Sequence, residues 1–168
     1  MVVRSVENSD LGIVAAWLAQ KENYQWLDFG NGNQLVSPVL LRFMIQRNSN
    51  AFRVFTSDSG EAPIGIVALG NVSRNFKTAM LWYVLGDKRF SGGGYTTRAV
   101  SAMLSFAFTD LELRAVNAWA VDQNDPSIRV LERNRFRLVG RQRQCHYVDG
   151  RAFDRLLFDT LASEHEAR

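Results

Sequence analysis

Leu85 ends an unbroken apolar run, Met80-Leu81-Trp82-Tyr83-Val84-Leu85, and a helix-periodic stretch opens at Tyr95. Between them lies Gly86-Asp87-Lys88-Arg89-Phe90-Ser91-Gly92-Gly93-Gly94. A continuous apolar run of this length marks a strand buried on both faces. Ala99, Val100, Met103, Leu104 and Ala107 recur at helical spacing, so the helix spans Tyr95 to Thr109. A strand, a glycine turn and a helix in that order constrain the fold more than any other segment. Glycines without a Cβ let backbone approach a ligand closely and reach positive φ. The unpaired N–H groups of a helix start then face whatever sits there, an arrangement that binds phosphate. Lys88 and Arg89 add positive charge. A nucleoside-triphosphate loop requires Gly-Lys-Ser/Thr, which is absent. A dinucleotide fingerprint requires a further glycine where Thr97 stands, and a place on an early strand. The plain structural reading is a turn that merely joins strand to helix.

The flanking sequence gives a mixed α/β order. Val2 to Val6 reads as a strand. A helix capped by Asn8 or Ser9 follows to Gln20, with Leu11, Val14, Ala15 and Leu18 on one face. Residues 23–36 mix aromatics with Asn and Gly, which suits a loop with a helical turn. Ser37-Pro38 starts a second helix to Gln46. Strands are expected over Phe52–Thr56, Ala62–Leu69, Thr78–Leu85 and Ala115–Val121. A short helix spans Asp125–Arg133 with Asn124 at its N-cap. Phe136–Tyr147 and Arg151–Leu161 form two long strands around an Asp149-Gly150 turn. The sum is one domain over residues 1–168, with seven strands, four helices and a frayed tail from Ser163 to Arg168.

The length of 168 residues is enough to bury a core without staples. The single cysteine, Cys145, excludes a disulfide framework and a thiolate zinc site. No apolar run reaches membrane-spanning length and the start shows no secretory pattern, which points to the cytoplasm. The net charge of +3 suits an anionic cofactor and falls short of the basic stripe of a nucleic-acid binder.

Arg89-Phe90-Ser91-Gly92-Gly93-Gly94 fits an R/Q-x-x-G-x-G/A loop. Asn124-Asp125-Pro126-Ser127-Ile128-Arg129-Val130-Leu131-Glu132-Arg133-Asn134-Arg135-Phe136 fits an N-x-x-S-x-x-x-L-x-x-x-G-F block, with Arg135 in the place of the glycine. Together with the final hairpin and its Phe153-Asp154 pair, the chain resembles the GNAT superfamily of N-acyltransferases. The likeness is to the branch containing the ribosomal-protein alanine N-acetyltransferases. It implies a GNAT fold: a central, mixed, mostly antiparallel sheet of about seven strands flanked by about four helices. It also implies an acetyl-CoA-dependent N-acetyltransferase moving acetyl to a primary amine by direct attack on the thioester. The acceptor is a protein N-terminus or a small-molecule amine, and a homodimer is allowed. A non-catalytic acyl-CoA sensor of the same fold is the alternative.

By the same resemblance, residues Arg89, Phe90, Ser91, Gly92, Gly93, Gly94, Tyr95 and Thr96 hold the cofactor diphosphate. The backbone around Tyr83, Val84 and Leu85 serves the thioester carbonyl and the pantetheine arm, while the side chains of Val84 and Leu85 are core. Arg129 or Arg133 reaches toward the 3′-phosphate. Ser127 stands near the departing sulfur, and it could equally be a first-turn cap. Asn124 would bond the cofactor arm as well as cap the helix. The tyrosine acid of many relatives is here Leu131. His146 falls where related enzymes carry a glutamate base, and an imidazole suits such work. Strand parity puts Phe136, Leu138 and His146 on one face and Arg137, Arg141 and Arg143 on the other, unless a bulge at Gly140 intervenes. The plain reading of His146 is a half-exposed strand histidine. Asp122, Asp149 and Asp154 are weaker bases, with Asp154 ordering the hairpin. Cys145 as an acyl-carrying nucleophile is a further alternative. Trp26 and Phe29 would line an acceptor pocket.

Overall fold

A computed structural model describes residues 1–28, 36–60 and 62–165. Among these, seven strands form one sheet in the order β1-β2-β3-β4-β5-β7-β6. The strands are β1 (Val3–Ser5), β2 (Ala51–Thr56), β3 (Pro63–Ser73), β4 (Thr78–Leu85), β5 (Ala115–Val121), β6 (Arg137–Val148) and β7 (Arg151–Leu161). The helices are α1 (Leu11–Leu18), α2 (Lys21–Tyr24), α3 (Pro38–Gln46), α4 (Tyr95–Thr109) and α5 (Asp125–Arg133). The extra helix relative to the sequence reading is α2, a single turn at the start of the Asn/Gly-rich stretch. No helix among the described residues is long and apolar enough to cross a membrane.

Two apolar layers sandwich the sheet. On one face Ala99, Val100, Met103, Leu104 and Ala107 of α4 and Leu131 of α5 pack on Val67, Leu69, Leu81, Val116 and Phe158. On the other, Leu11, Val14 and Leu18 of α1 and Leu41 of α3 pack on Phe52, Val54, Ile66 and Val84. Successive strand residues point to opposite faces, so Ile66 and Val67 serve different layers. Ser37 accepts from Leu40 N–H at 3.2 Å, and Pro38 fits the first turn of α3. The start of α1 differs from expectation. Neither Asn8 nor Ser9 caps it; a 3-10 turn over Asn8–Asp10 precedes it, and the buried Asp10 carboxylate accepts from Glu7 N–H at 2.8 Å.

Every neighbouring pair is antiparallel except β4 and β5, which run parallel and pair only through Thr78–Met80 against Ala115–Asn117. Beyond that point they part. This corrects the reading of Met80–Leu85 as buried on both faces: Met80, Trp82, Tyr83 and Leu85 are only half-buried because the gap exposes them. Beyond the parting, alternate N–H and C=O groups of β4 on the β5 side have no strand partner.

The parity of β6 also needs correction. Val139 is one extra residue between Leu138 and Gly140, and three residues of β6 (143–145) stand against one of β7 between Gln142 and His146. The first bulge flips the pleat. His146 therefore emerges on the face of Arg155 and Trp119, opposite Leu138. Asp154 fixes the second bulge, accepting from Gln144 N–H and from Arg141, both at 2.8 Å.

The tail is not frayed as far as His165. Residues Ala162–Glu164 form a 3-10 turn, Glu164 pairs with Arg137 at 2.7 Å, and His165 Nε2 lies 2.8 Å from Ser105 Oγ.

Candidate active site

Where β4 and β5 part, a cleft of about 1170 Å3 opens, walled by β4, the glycine turn, the start of α4 and the start of α5. The turn is built for exposed amides. Gly92 and Gly94 sit at φ 80° and 74°, which a side chain would disfavour by roughly 1–2 kcal/mol each. Gly94 is the N-cap of α4, and having no side chain it bonds none of the first-turn N–H groups. Among the described residues the amides of Gly92, Gly94, Tyr95, Thr96 and Thr97 have no acceptor. With the helix dipole, about half a positive charge, they form an anion site.

Phe90, Ser91, Gly92, Gly94, Tyr95 and Thr96 line the cleft together with Tyr83, Val84, Leu85, Asn124, Ser127 and Trp26. Two of the expected cofactor residues do not line it. Arg89 folds back on Asp87, its Nη2 2.6 Å from the carboxylate, and its side chain is 86% exposed. Gly93 donates to Phe90 O at 3.3 Å. A Cβ on Gly93 would come within 2.7 Å of the Tyr95 ring, so this glycine serves packing. Beside the glycine turn the cleft wall carries Lys88, which donates to Leu85 O at 2.7 Å and Asn23 Oδ1 at 2.6 Å. Burial lowers the Lys88 pKa. Arg129 and Arg133 line the cleft from α5.

At the start of α5, Asn124 caps the helix by accepting from Ser127 N–H at 3.4 Å. Ser127 Oγ lies 2.9 Å from the Tyr83 hydroxyl, which is also 2.9 Å from Ser127 O. A carbonyl can only accept, so that contact has the phenol donating. Burial pushes the Tyr83 phenol well above its usual value, which keeps it protonated at neutral pH. Leu131 is fully buried in the core.

His146 does not line the cleft. It is 5% exposed, and both ring nitrogens are engaged. Nε2 lies 2.6 Å from Gln25 O, an atom that can only accept, and Nδ1 faces the Arg155 guanidinium at 3.1 and 3.3 Å, which can only donate. The ring is the Nε2–H tautomer with its lone pair occupied, so it has nothing free to take a proton from an amine. It ties β6 to the segment after α2. Lys21–Asp149 at 2.7 Å and Arg155–Asp28 at 2.8 Å add two further ties. Cys145 is exposed on β6, its thiol 3.3 Å from Gln142 O and outside the cleft wall. Phe29 lies outside the described residues.

The sequence reading missed the wall opposite Ser127. Trp82, Asn117, Trp119, Arg155 and Asp159 line it. On sequence they stand only as members of the strands Thr78–Leu85, Ala115–Val121 and Arg151–Leu161. The available signal was polar Asn117 and Asp159 alternating with apolar neighbours in strands of otherwise buried type. Among the described residues no group of His, Cys, Asp and Glu gathers as a metal would require.

Residues 1–137 match the family model described as acetyltransferase (GNAT) domain. An uncharacterised N-acetyltransferase of Bacillus licheniformis, p20, is 22% identical over 171 residues, 98% of this chain and 94% of that protein. The spermidine N-acetyltransferase of Vibrio cholerae, solved with CoA and spermine, superposes with a TM-score of 0.86 at 18% identity, covering 98% of this chain and 96% of that one. The ribosomal-protein-S5-alanine acetyltransferase of Vibrio fischeri superposes with a TM-score of 0.79 at 21% identity, covering 98% and 94%.

Proposed function

Because the chain belongs to the acetyltransferase (GNAT) domain family, whose members are acetyl-CoA-dependent N-acyltransferases, we propose that it moves acetyl by direct attack of a primary amine on the thioester. The acceptor is a protein N-terminus or a small-molecule amine, and the setting is cytoplasmic. One observation carries the reading: parallel pairing stops at Met80–Asn117, beside a glycine turn with free amides. The cleft accepts an elongated anionic thioester. The free amides of Gly92, Gly94, Tyr95, Thr96 and Thr97 hold the diphosphate, and the unpaired edge of β4 holds the arm and polarises the carbonyl. Lys88 Nζ is spent on Leu85 O and Asn23, so it supports the end of β4 rather than the phosphates.

As the amine nitrogen bonds the carbonyl carbon, the carbon–sulfur bond breaks and the electron pair leaves on sulfur. Ser127 Oγ–H donates to that thiolate, with Tyr83 behind it as a neutral phenol. Transfer through Cys145 is disfavoured because Cys145, exposed on β6, is not among the residues that line the cleft.

A thiol-release assay with acetyl-CoA and a panel of amines and N-terminal peptides tests the reading. Ser127→Ala is expected to lower kcat by about 10²-fold, with acetyl-CoA affinity by calorimetry nearly unchanged. Calorimetric binding without turnover on any amine would favour the sensor instead.

A further inference from the structure

The wall facing Ser127 holds a carboxylate with no partner among the described residues. Met80 of β4 stands opposite Asn117 of β5, and Asn117 stands opposite Asp159 of β7. Directly paired residues share a sheet face, so these three sit together on the α1/α3 side, at the last rung before β4 and β5 part. A thioester whose arm ran along the open edge of β4 would stop at that rung, where the two strands close. Tyr83 and Ser127 lie on the other side of the sheet, toward α4 and α5. The gap thus separates the sulfur side from the Asp159 side.

Asp159 is half-buried and lines the cleft, yet its side chain has no hydrogen bond or ion pair among the described residues. Of the other carboxylates of the wall, Asp28 is held by Arg155 at 2.8 Å, and Glu22 is exposed, with no ion pair among the described residues. Arg137, directly opposite Asp159 on β6, turns to Glu164 at 2.7 Å. A half-buried carboxylate left without a counter-charge costs stability, and an incoming ammonium would recover it. Trp82 and Trp119 are on the same face, two residues along from Met80 and Asn117. Indole faces attract cations and apolar bodies alike. One face of Trp119 is already covered by the Arg155 guanidinium at 3.9 Å. Residues 29–35, Phe-Gly-Asn-Gly-Asn-Gln-Leu, bring no charge.

We infer that Asp159 is the acceptor-amine residue of this enzyme and that the acceptor is a singly charged primary amine beside an apolar or aromatic group. Asp159 takes one proton from the bound ammonium and passes it to water, which frees the nitrogen lone pair; the second proton, shed once the N–C bond forms, leaves with the departing sulfur as thiol. Among the described residues a polyamine meets no second half-buried carboxylate without a partner, only the exposed Glu22, whose attraction solvent screens, and the Arg155 cation opposes it. This inference rests on the acetyl-transfer reading above.

Two probes test it, β-phenethylamine and spermidine, with protein loaded with CoA for binding and with acetyl-CoA for turnover. Wild type is expected to give calorimetric binding of phenethylamine, and Asp159→Asn to weaken that binding at least tenfold. The same variant should lower kcat/KM for phenethylamine about 10²-fold with acetyl-CoA affinity unchanged. Its unfolding midpoint should stay level or rise, whereas a purely structural Asp159 would lower it. Wild type should turn over phenethylamine with the higher kcat/KM. No heat with phenethylamine, an Asp159→Asn protein that binds and reacts as wild type, or spermidine preferred more than tenfold would each overturn the inference. Amine binding that is lost in Asp159→Asn, with no thiol released by wild type, would sustain the amine site and sink the transfer reading.

Discussion

His146 illustrates how a residue type can fit a role that its surroundings deny it. On sequence it was the one histidine placed to act as a base. In the fold its two nitrogens are spent on Gln25 O and Arg155, and its ring tilts against Trp119 with centroids 5.7 Å apart. Its work is positional: it fixes the segment that carries Trp26 and Asp28 beside the cleft. His146→Ala should therefore raise the KM for the amine about tenfold while acetyl-CoA affinity holds and kcat at saturating amine falls little. A base would show the opposite split, which steady-state kinetics in both substrates would detect. Arg135 teaches a related lesson. It stands where the resembling family has glycine, and its φ is 63°. Phe136 N–H donates to Leu131 O at 3.1 Å and Arg135 N–H to Glu132 O at 2.9 Å, the paired bonds of a left-handed helix end. The turn keeps its glycine geometry with an arginine in place, and the backbone strain of a left-handed L-residue is borne locally.

At the scale of elements, local signals were strong where each element carries its own period and caps. Strands β4, β5 and β7 and helices α4 and α5 have the bounds that alternation, Asn124 and the glycine turn imply. The turn itself is conformational: a Cβ on Gly94 meets nothing within 4 Å, but its φ of 74° is left-handed. Gly94→Ala should cost about 1 kcal/mol of stability and weaken acetyl-CoA binding about tenfold, read by thermal unfolding and calorimetry on the same sample. Bulges are the counterexample. Gln144 takes φ 52°, a conformation that β6 adopts because Asp154, ten residues on, offers its carboxylate to Gln144 N–H. No local property of Gln142-Arg143-Gln144-Cys145 encodes that partner, so the face His146 would take was not legible.

Across the whole molecule, the sheet is anchored at its first strand by a charge pair whose contribution depends on pH. Asp10, nearly fully buried, receives Arg4 through both carboxylate oxygens at 2.6 and 3.0 Å, and Arg4 holds its pKa below the ordinary carboxylate value. The native pKa is depressed, so the stabilisation is complete above the unfolded value of about 4 and is lost as pH falls through the native one. Asp10→Asn should cost about 2 kcal/mol near neutrality, and the gap to wild type should close in acid; urea midpoints at several pH values would measure it. The sequence by itself determined most of the elements, their order and the place of the glycine turn, because hydrophobic period, caps and glycine conformations act within a few residues. Tertiary structure decided where β4 and β5 part, which side of the sheet meets Ser127 and which meets Asp159, and that His146 is a brace. Those depend on register between strands distant in the chain, and on which partners exhaust a side chain's donors and lone pairs, quantities that no local window of residues contains.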